Sequence, residues 1–203
     1  MKHKISLIKV LVTAFPLALM LMGIGSLFLY EQRRVDKLEE QPFSTPIQEA
    51  HLKQYYQKLT DFMSPRNFDP TLQTNLLRTC AFIEGSLSGV NTGMNIHTTP
   101  PLKKNGRLWK GFLVKYEGRK SGKQDIELIE INYVHGSNKE IALGLAIGEA
   151  LPGLDLKHSI HIHFTPSSED SIFSDWGDDT NLNWNQLTKQ AQGFIRSRVA
   201  TQN

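Results

Sequence analysis

The pattern of apolar and polar positions changes character three times along the chain. Val10 to Tyr30 is a run of 21 positions without a charge, bracketed by Lys2, Lys4 and Lys9 before it and Arg33, Arg34 and Lys37 after it. As a helix it would extend about 31 Å, enough to cross a hydrocarbon layer of about 30 Å. The segment therefore reads as a transmembrane anchor (10–30) behind a short cytoplasmic N-terminus (1–9). A cleaved signal peptide is the rival reading, with Gly23-Ile24-Gly25 as small residues at a cleavage spacing. The run is longer than a usual signal core, which favours the anchor, and the basic flanks lean toward a domain outside the cytoplasm.

From residue 31 to residue 44 the chain is charged and then turn-like, a juxtamembrane linker, and the folded unit is expected from 45 to 203. Thr45-Pro46-Ile47-Gln48 has the form of a helix start, and Ile47, His51, Tyr55, Leu59 and Phe62 then recur at helical spacing up to Met63. Leu72, Leu76, Cys80, Ile83 and Leu87 predict a second amphipathic helix closed at Ser88-Gly89.

The period then shortens. Met94 to Thr98, Leu108 to Tyr116 and Ile126 to Val134 are rich in β-branched and aromatic residues, separated by Pro100-Pro101, Asn105-Gly106 and Lys120-Ser121-Gly122, and predict strands joined by tight turns. Ser137-Asn138-Lys139-Glu140 is a capping box before Ile141 to Leu151, a helix so apolar that it must be covered on most sides. Ser159 to Thr165 is a further strand, so residues 126 to 165 form a βαβ unit with a parallel pair. A last amphipathic helix runs from Asn183 to Val199. The expected class is α/β, a mixed and mostly parallel sheet flanked by helices.

Composition changes this picture in one respect. The chain has 203 residues and a formal net charge of +3, but the three lysines before Glu31 supply all of the excess, so residues 31–203 carry 20 basic and 20 acidic groups. A neutral domain lacks the overall positive field that nucleic acid requires, and no nucleic-acid partner is expected. Cys80 is the single cysteine, which excludes an intrachain disulfide and reads as a small buried side chain.

Three groups of residues invite a chemical reading. In His158-Ser159-Ile160-His161-Ile162-His163 the last two imidazoles point to one face of a strand, where they could share a metal or simply occupy its wetter side. Glu169-Asp170 follows that strand, where α/β folds place ligand crevices; one carboxylate could act as general base and the other hold a metal. Asp175, Asp178 and Asp179 around Trp176-Gly177 do not follow the calcium-loop spacing, and helix capping accounts for part of that cluster. No phosphate loop, dinucleotide fingerprint, nucleophile elbow or paired-cysteine zinc site occurs.

The order of Pro65-Arg66-Asn67 between two helices, LWKGFLVKYEG, IELIEINYV, EIALGLAIGEAL and HSIHIHFTPSSED resembles the front half of the two-zinc aminopeptidase family, which includes the glutaminyl cyclases, over about residues 50–172. The resemblance implies a truncated aminopeptidase-like fold with Glu169 at the general-base position and Asp170 at a ligand position. Its other metal positions are not matched. Asn132-Tyr133-Val134 stands where His-any-Asp is found in the family, Gly136 or Ser137 where the bridging Asp is found, and no histidine follows Asp170.

Three functions follow as expectations. The first is a non-catalytic module that binds a peptide or a membrane-protein partner in a groove lined by Asn132, Tyr133, His135, Thr165 and Glu169. It needs no cofactor, and its lipid partner is the bilayer through residues 10–30. The second is a hydrolase with a rearranged zinc site, Glu169 as base and Asp170 with His135 and His163 as ligands. The third is a structural subunit of a membrane complex.

Overall fold

The helix from Asn138 to Ala150 is the core of the unit that begins at residue 43, and its sequence explains why. Ile141, Ala142, Leu143, Leu145 and Ile147 have no exposed surface, and every residue from Lys139 to Gly148 is buried. Such a helix can only lie between layers. In the computed structural model, which describes residues 26, 46–88, 96–120, 125–167, 172–176 and 180–200, it packs between a sheet and the first helix. The expected anchor apart from Ser26, the linker, Gly89, Glu169-Asp170 and Asp178-Asp179 lie outside the described residues. Among those described, no helix is long and apolar enough to cross a membrane.

In chain order the elements are α1 (Glu49–Met63), α2 (Gln73–Ser86), β1 (Ile96–Lys104), β2 (Arg107–Tyr116), β3 (Gly118–Lys120), β4 (Ile126–Asn132), α3 (Asn138–Ala150), β5 (Leu156–Thr165) and α4 (Trp184–Arg198). Strand β5 is central. It pairs antiparallel with β2, from Phe112 opposite Phe164 to Tyr116 opposite Ile160. It pairs parallel with β4, from Ile126 opposite Ser159 to Asn132 opposite Thr165, and with the short β3.

The expected βαβ unit is therefore present as β4-α3-β5, but the sheet is mixed and not mostly parallel. β1 and β2 form a hairpin, and a two-residue connection can only join antiparallel neighbours. Its turn, Asn105-Gly106, has both φ angles positive, +49° and +76°, as a type I′ turn requires.

Two boundaries differ from the sequence reading. Pro100-Pro101 does not separate strands but lies inside β1, at a register shift between Thr99 and Leu102. Among the described residues β1 pairs with β2 alone, and an edge strand tolerates a missing N–H. Helix α1 begins at Glu49 instead of near Pro46, and Gln48 makes no side-chain cap. Ile47 is buried and its carbonyl accepts from Gln192 Nε2 of α4, which holds the entry extended. Phe62, expected on the buried face of α1, is 61% exposed, while Leu52 and Met63 are buried in addition to Tyr55 and Leu59.

One face of the sheet takes the helices. A Cβ on Gly144 would lie 2.1 Å from Ile131 Cδ1 and 3.0 Å from Phe164 Cζ, and one on Gly148 2.8 Å from Leu87 Cδ2, so α3 seats directly on β4 and β5. Arg198 of α4 reaches Glu127 on the same side and lies over the Phe194 ring. The opposite face carries Leu113, Lys115, Leu128, Glu130, His161 and His163, with Leu128 51% exposed.

Candidate functional site

The C-terminal end of β4 opens into a five-residue connection to α3, the place where α/β folds place ligands. Asn132 begins it: its Oδ1 accepts from the amides of Val134 and His135, and its carbonyl accepts from Gly136 N at 2.9 Å. A Cβ at Gly136 would sit 2.0 Å from that carbonyl oxygen, so only glycine fits the turn. Ser137 then caps α3, its Oγ accepting from Glu140 N at 3.1 Å, as the capping box predicts.

Arg66, from the turn after α1, locks this loop from the side. Its Nε donates to Tyr133 O at 2.7 Å, and its terminal nitrogens donate to Gly136 O at 2.8 Å, Asn138 Oδ1 at 2.5 Å and Ser64 Oγ at 3.2 Å. The guanidinium is buried, and desolvation pulls it down to about 10 while Glu140 opposes the shift. The planar five-donor fork suits these four acceptors, which lysine could not serve together. Between these segments lies an open groove of about 450 Å³ lined by Ser64, Arg66, Asn67, His135, Ser137 and Asn138, among others.

The expected groove residues lie mostly beneath this surface. Tyr133 has no exposed surface; its ring lies against Phe112 and its hydroxyl donates to Lys110 O at 2.8 Å. Thr165 is buried, with its carbonyl accepting from Tyr133 N and its hydroxyl from Ser167 N. Asn132 is half-buried and committed to the loop. His135 is exposed on the groove, edge-on to Phe68. Glu169 and Asp170 are outside the described residues.

His163 belongs to a different neighbourhood. Its Nδ1 faces Glu130 Oε1 at 3.0 Å and its Nε2 faces Thr99 Oγ1 at 3.1 Å, so one ring ties β5 to β4 and, across β2, to β1. The bond crosses β2 at Gly111, where a Cβ would meet Thr99 Oγ1 at 2.1 Å and His163 Nε2 at 2.9 Å. His161 shares that face beside Lys115; burial, then Lys115, pulls its pKa below the usual imidazole value. His158 faces Asp125 Oδ1 at 3.8 Å.

Zinc chemistry can be tested on these donors. His163 has both ring nitrogens occupied by Glu130 and Thr99, His135 packs on Phe68, and the Ser137 hydroxyl is used as a helix cap. Among the described residues no three of His, Cys, Asp or Glu converge. His135 and His163 thus have different neighbours, Phe68 for the first and Glu130 with Thr99 for the second, and Asp170, the third ligand of the rearranged site, lies outside the described residues.

Sequence reading passed over two features. Arg66 was visible only as part of a turn, because nothing local shows what a buried guanidinium will hold. The second is a polar cluster between α1 and α3: the Tyr55 hydroxyl donates to Glu149, whose other oxygen lies 3.5 Å from His51 Nδ1, and the His51 and Tyr55 rings lie 4.6 Å apart. Burial, then Glu149, raises the Tyr55 phenol. Cys80 is half-buried and its thiol is pushed up to about 11 by burial, the condition of an unreactive structural cysteine.

No family model matches the chain, and no curated protein does. Solved structures do. A glutaminyl cyclase from Bacteroides thetaiotaomicron bound to N-acetylhistamine is 14% identical, with 63% of this chain and 51% of that one covered and a TM-score of 0.41. A leucine aminopeptidase precursor from the same organism is 14% identical, covering 62% and 51%, with a TM-score of 0.41. A Zn-dependent exopeptidase from Parabacteroides distasonis is 10% identical, covering 67% and 53%, with a TM-score of 0.40. The chain spans about half the length of these structures.

Proposed function

We propose that the chain is a membrane-anchored, extracytoplasmic domain of aminopeptidase-like architecture that binds a peptide or protein instead of hydrolysing one. The observation that carries this reading is the use made of the polar groups at the end of β4. Asn132, Ser137 and Arg66 spend their hydrogen bonds holding the loop shut upon itself, which leaves a firm, open groove edged by His135 and Asn67. A pre-formed surface whose described polar groups are committed to the loop suits recognition.

The test is photo-crosslinking of a peptide library to the full chain in vesicles. Adducts at Asn67, His135 or Ser137 are expected. Adducts confined to the face that carries Leu128 would reject the groove. Peptide hydrolysis that disappears in Glu169→Gln, together with stoichiometric zinc, would replace the reading with the rearranged hydrolase.

A further inference from the structure

The neutrality of residues 31–203 hides a local asymmetry. From Gly85 to Tyr116 there is no acidic residue, while Lys103, Lys104, Arg107, Lys110 and Lys115 lie within that stretch. Four of these five form the tip of the β1-β2 hairpin. Lys104 stands directly opposite Arg107, and Lys103 opposite Leu108. Like charges directly opposite across two strands destabilise a hairpin. Lys103, Lys104, Arg107 and Lys110 are all exposed, and no carboxylate among the described residues forms an ion pair with any of them. Leu108, beside them, is 65% exposed.

The tip is nonetheless held firmly. Asn105 Nδ2 donates to Phe68 O at 2.7 Å, Trp109 Nε1 donates to Lys104 O, and the Trp109 ring packs on Phe68. A stiff hairpin that carries four cations and a leucine outward is matched in charge by an anionic surface and in polarity by its apolar boundary.

The geometry points to the β1-β2 hairpin tip as a second membrane contact, in which Lys103, Lys104, Arg107 and Lys110 engage anionic lipid headgroups while Leu108 enters the interface. This rests on the proposal that residues 10–30 anchor the chain. Reach permits it. The 15 residues from Glu31 to Thr45 could extend up to about 50 Å, enough to let the domain turn its tip to the bilayer. Docking there would lay the domain on the membrane with the groove at the end of β4 close to its surface, since Phe68 touches both Trp109 and His135.

The test uses the full chain with Leu108→Cys in a Cys80→Ala background, labelled at neutral pH by an environment-sensitive fluorophore, so that position 108 carries the single thiol. The labelled chain is reconstituted into vesicles of phosphatidylcholine alone or mixed with phosphatidylglycerol. Flotation with the neutral vesicles reads the anchor separately from the tip. The expected result is a fluorescence rise and quenching by lipid-borne quenchers in the mixed vesicles only, reversed by high salt. The ratio of engaged to free tip should fall about fivefold for each cation neutralised, Lys103→Gln through Lys110→Gln. The same emission in both lipids, or no effect of the four substitutions, would overturn the proposal. So would a rise produced by soluble poly-glutamate but not by phosphatidylglycerol, which would make the partner an acidic protein. A chain that fails to float with neutral vesicles, yet floats with mixed ones in a manner those substitutions abolish, would remove the anchor and keep the tip.

Discussion

The β4-α3-β5 unit and the β1-β2 hairpin belong to one sheet and are built on opposite principles. In the first, α3 and the side of β4 and β5 that faces it are spent inward: every residue from Lys139 to Gly148 is buried, Phe164 and Ile131 meet Gly144, and Ser137 and Arg66 close the polar loop after β4. In the second, the strand end turns its side chains to solvent and sets Lys104 against Arg107 without a counter-charge among the described residues. The contrast separates residues that secure the fold from residues whose arrangement weakens it slightly. Residues of the second kind are where interaction with something outside the domain is to be sought.

Breaking the first region should be far more damaging than altering the second. Phe164→Ala removes a ring with no exposed surface beneath α3 and should lower unfolding free energy by about 4 kcal/mol, read as a fall in denaturation midpoint. If the loss is under about 1 kcal/mol, α3 is not the centre of packing. Arg66→Lys should cost about 2 to 3 kcal/mol, because one ammonium cannot reach Tyr133 O, Gly136 O and Asn138 together and buried acceptors are left unpaired. Amide exchange in residues 133–137 should accelerate in the same variant. Ser137→Ala, which removes only the cap of α3, should cost about 1 kcal/mol.

The hairpin should respond in the other direction. Lys104→Glu replaces a repulsive cross-strand pair with an attractive one and should raise stability by about 0.5 kcal/mol in urea unfolding, while it weakens engagement of anionic vesicles. A fall in stability would mean that Lys104 already has a compensating partner. The smallest effect concerns pH. His161 holds its proton less tightly in the folded domain than in the unfolded chain, so its contribution is intact above the usual imidazole pKa of about 6.5 and is lost as pH falls below that value and through the lower pKa of the folded domain. His161→Gln should flatten the acid side of the stability profile, measured by denaturation at a series of pH values.

How far the site could be read from residues alone depended on how local its causes are. His135, expected to line a groove with Asn132, Tyr133, Thr165 and Glu169, lies instead on a surface shared with Ser64, Arg66 and Asn67. Tyr133 and Thr165, placed beside it by their position at strand ends, are buried beneath it, because Tyr133 lies against Phe112 and hydrogen-bonds Lys110 of β2. His161 and His163 do share a face, as alternation requires, but the partners of His163 come from β1 and β4 through a window that exists only because residue 111 is glycine. No spacing rule brings Thr99, Gly111, Glu130 and His163 together.

Local chemistry alone determined much of this protein. The capping box at Ser137, the positive-φ pair Asn105-Gly106, the burial of α3 and the βαβ unit all follow from short-range pattern, since caps, turns and periodicity act over a few residues. The tertiary structure decided the rest. It made the sheet mixed by placing the hairpin antiparallel against β5, kept Pro100-Pro101 within a strand by leaving β1 at the edge, and turned Arg66 into the lock of a loop some 70 positions away. Those outcomes depend on which distant backbone groups a side chain meets, and chain-distant partners leave no local pattern in the sequence.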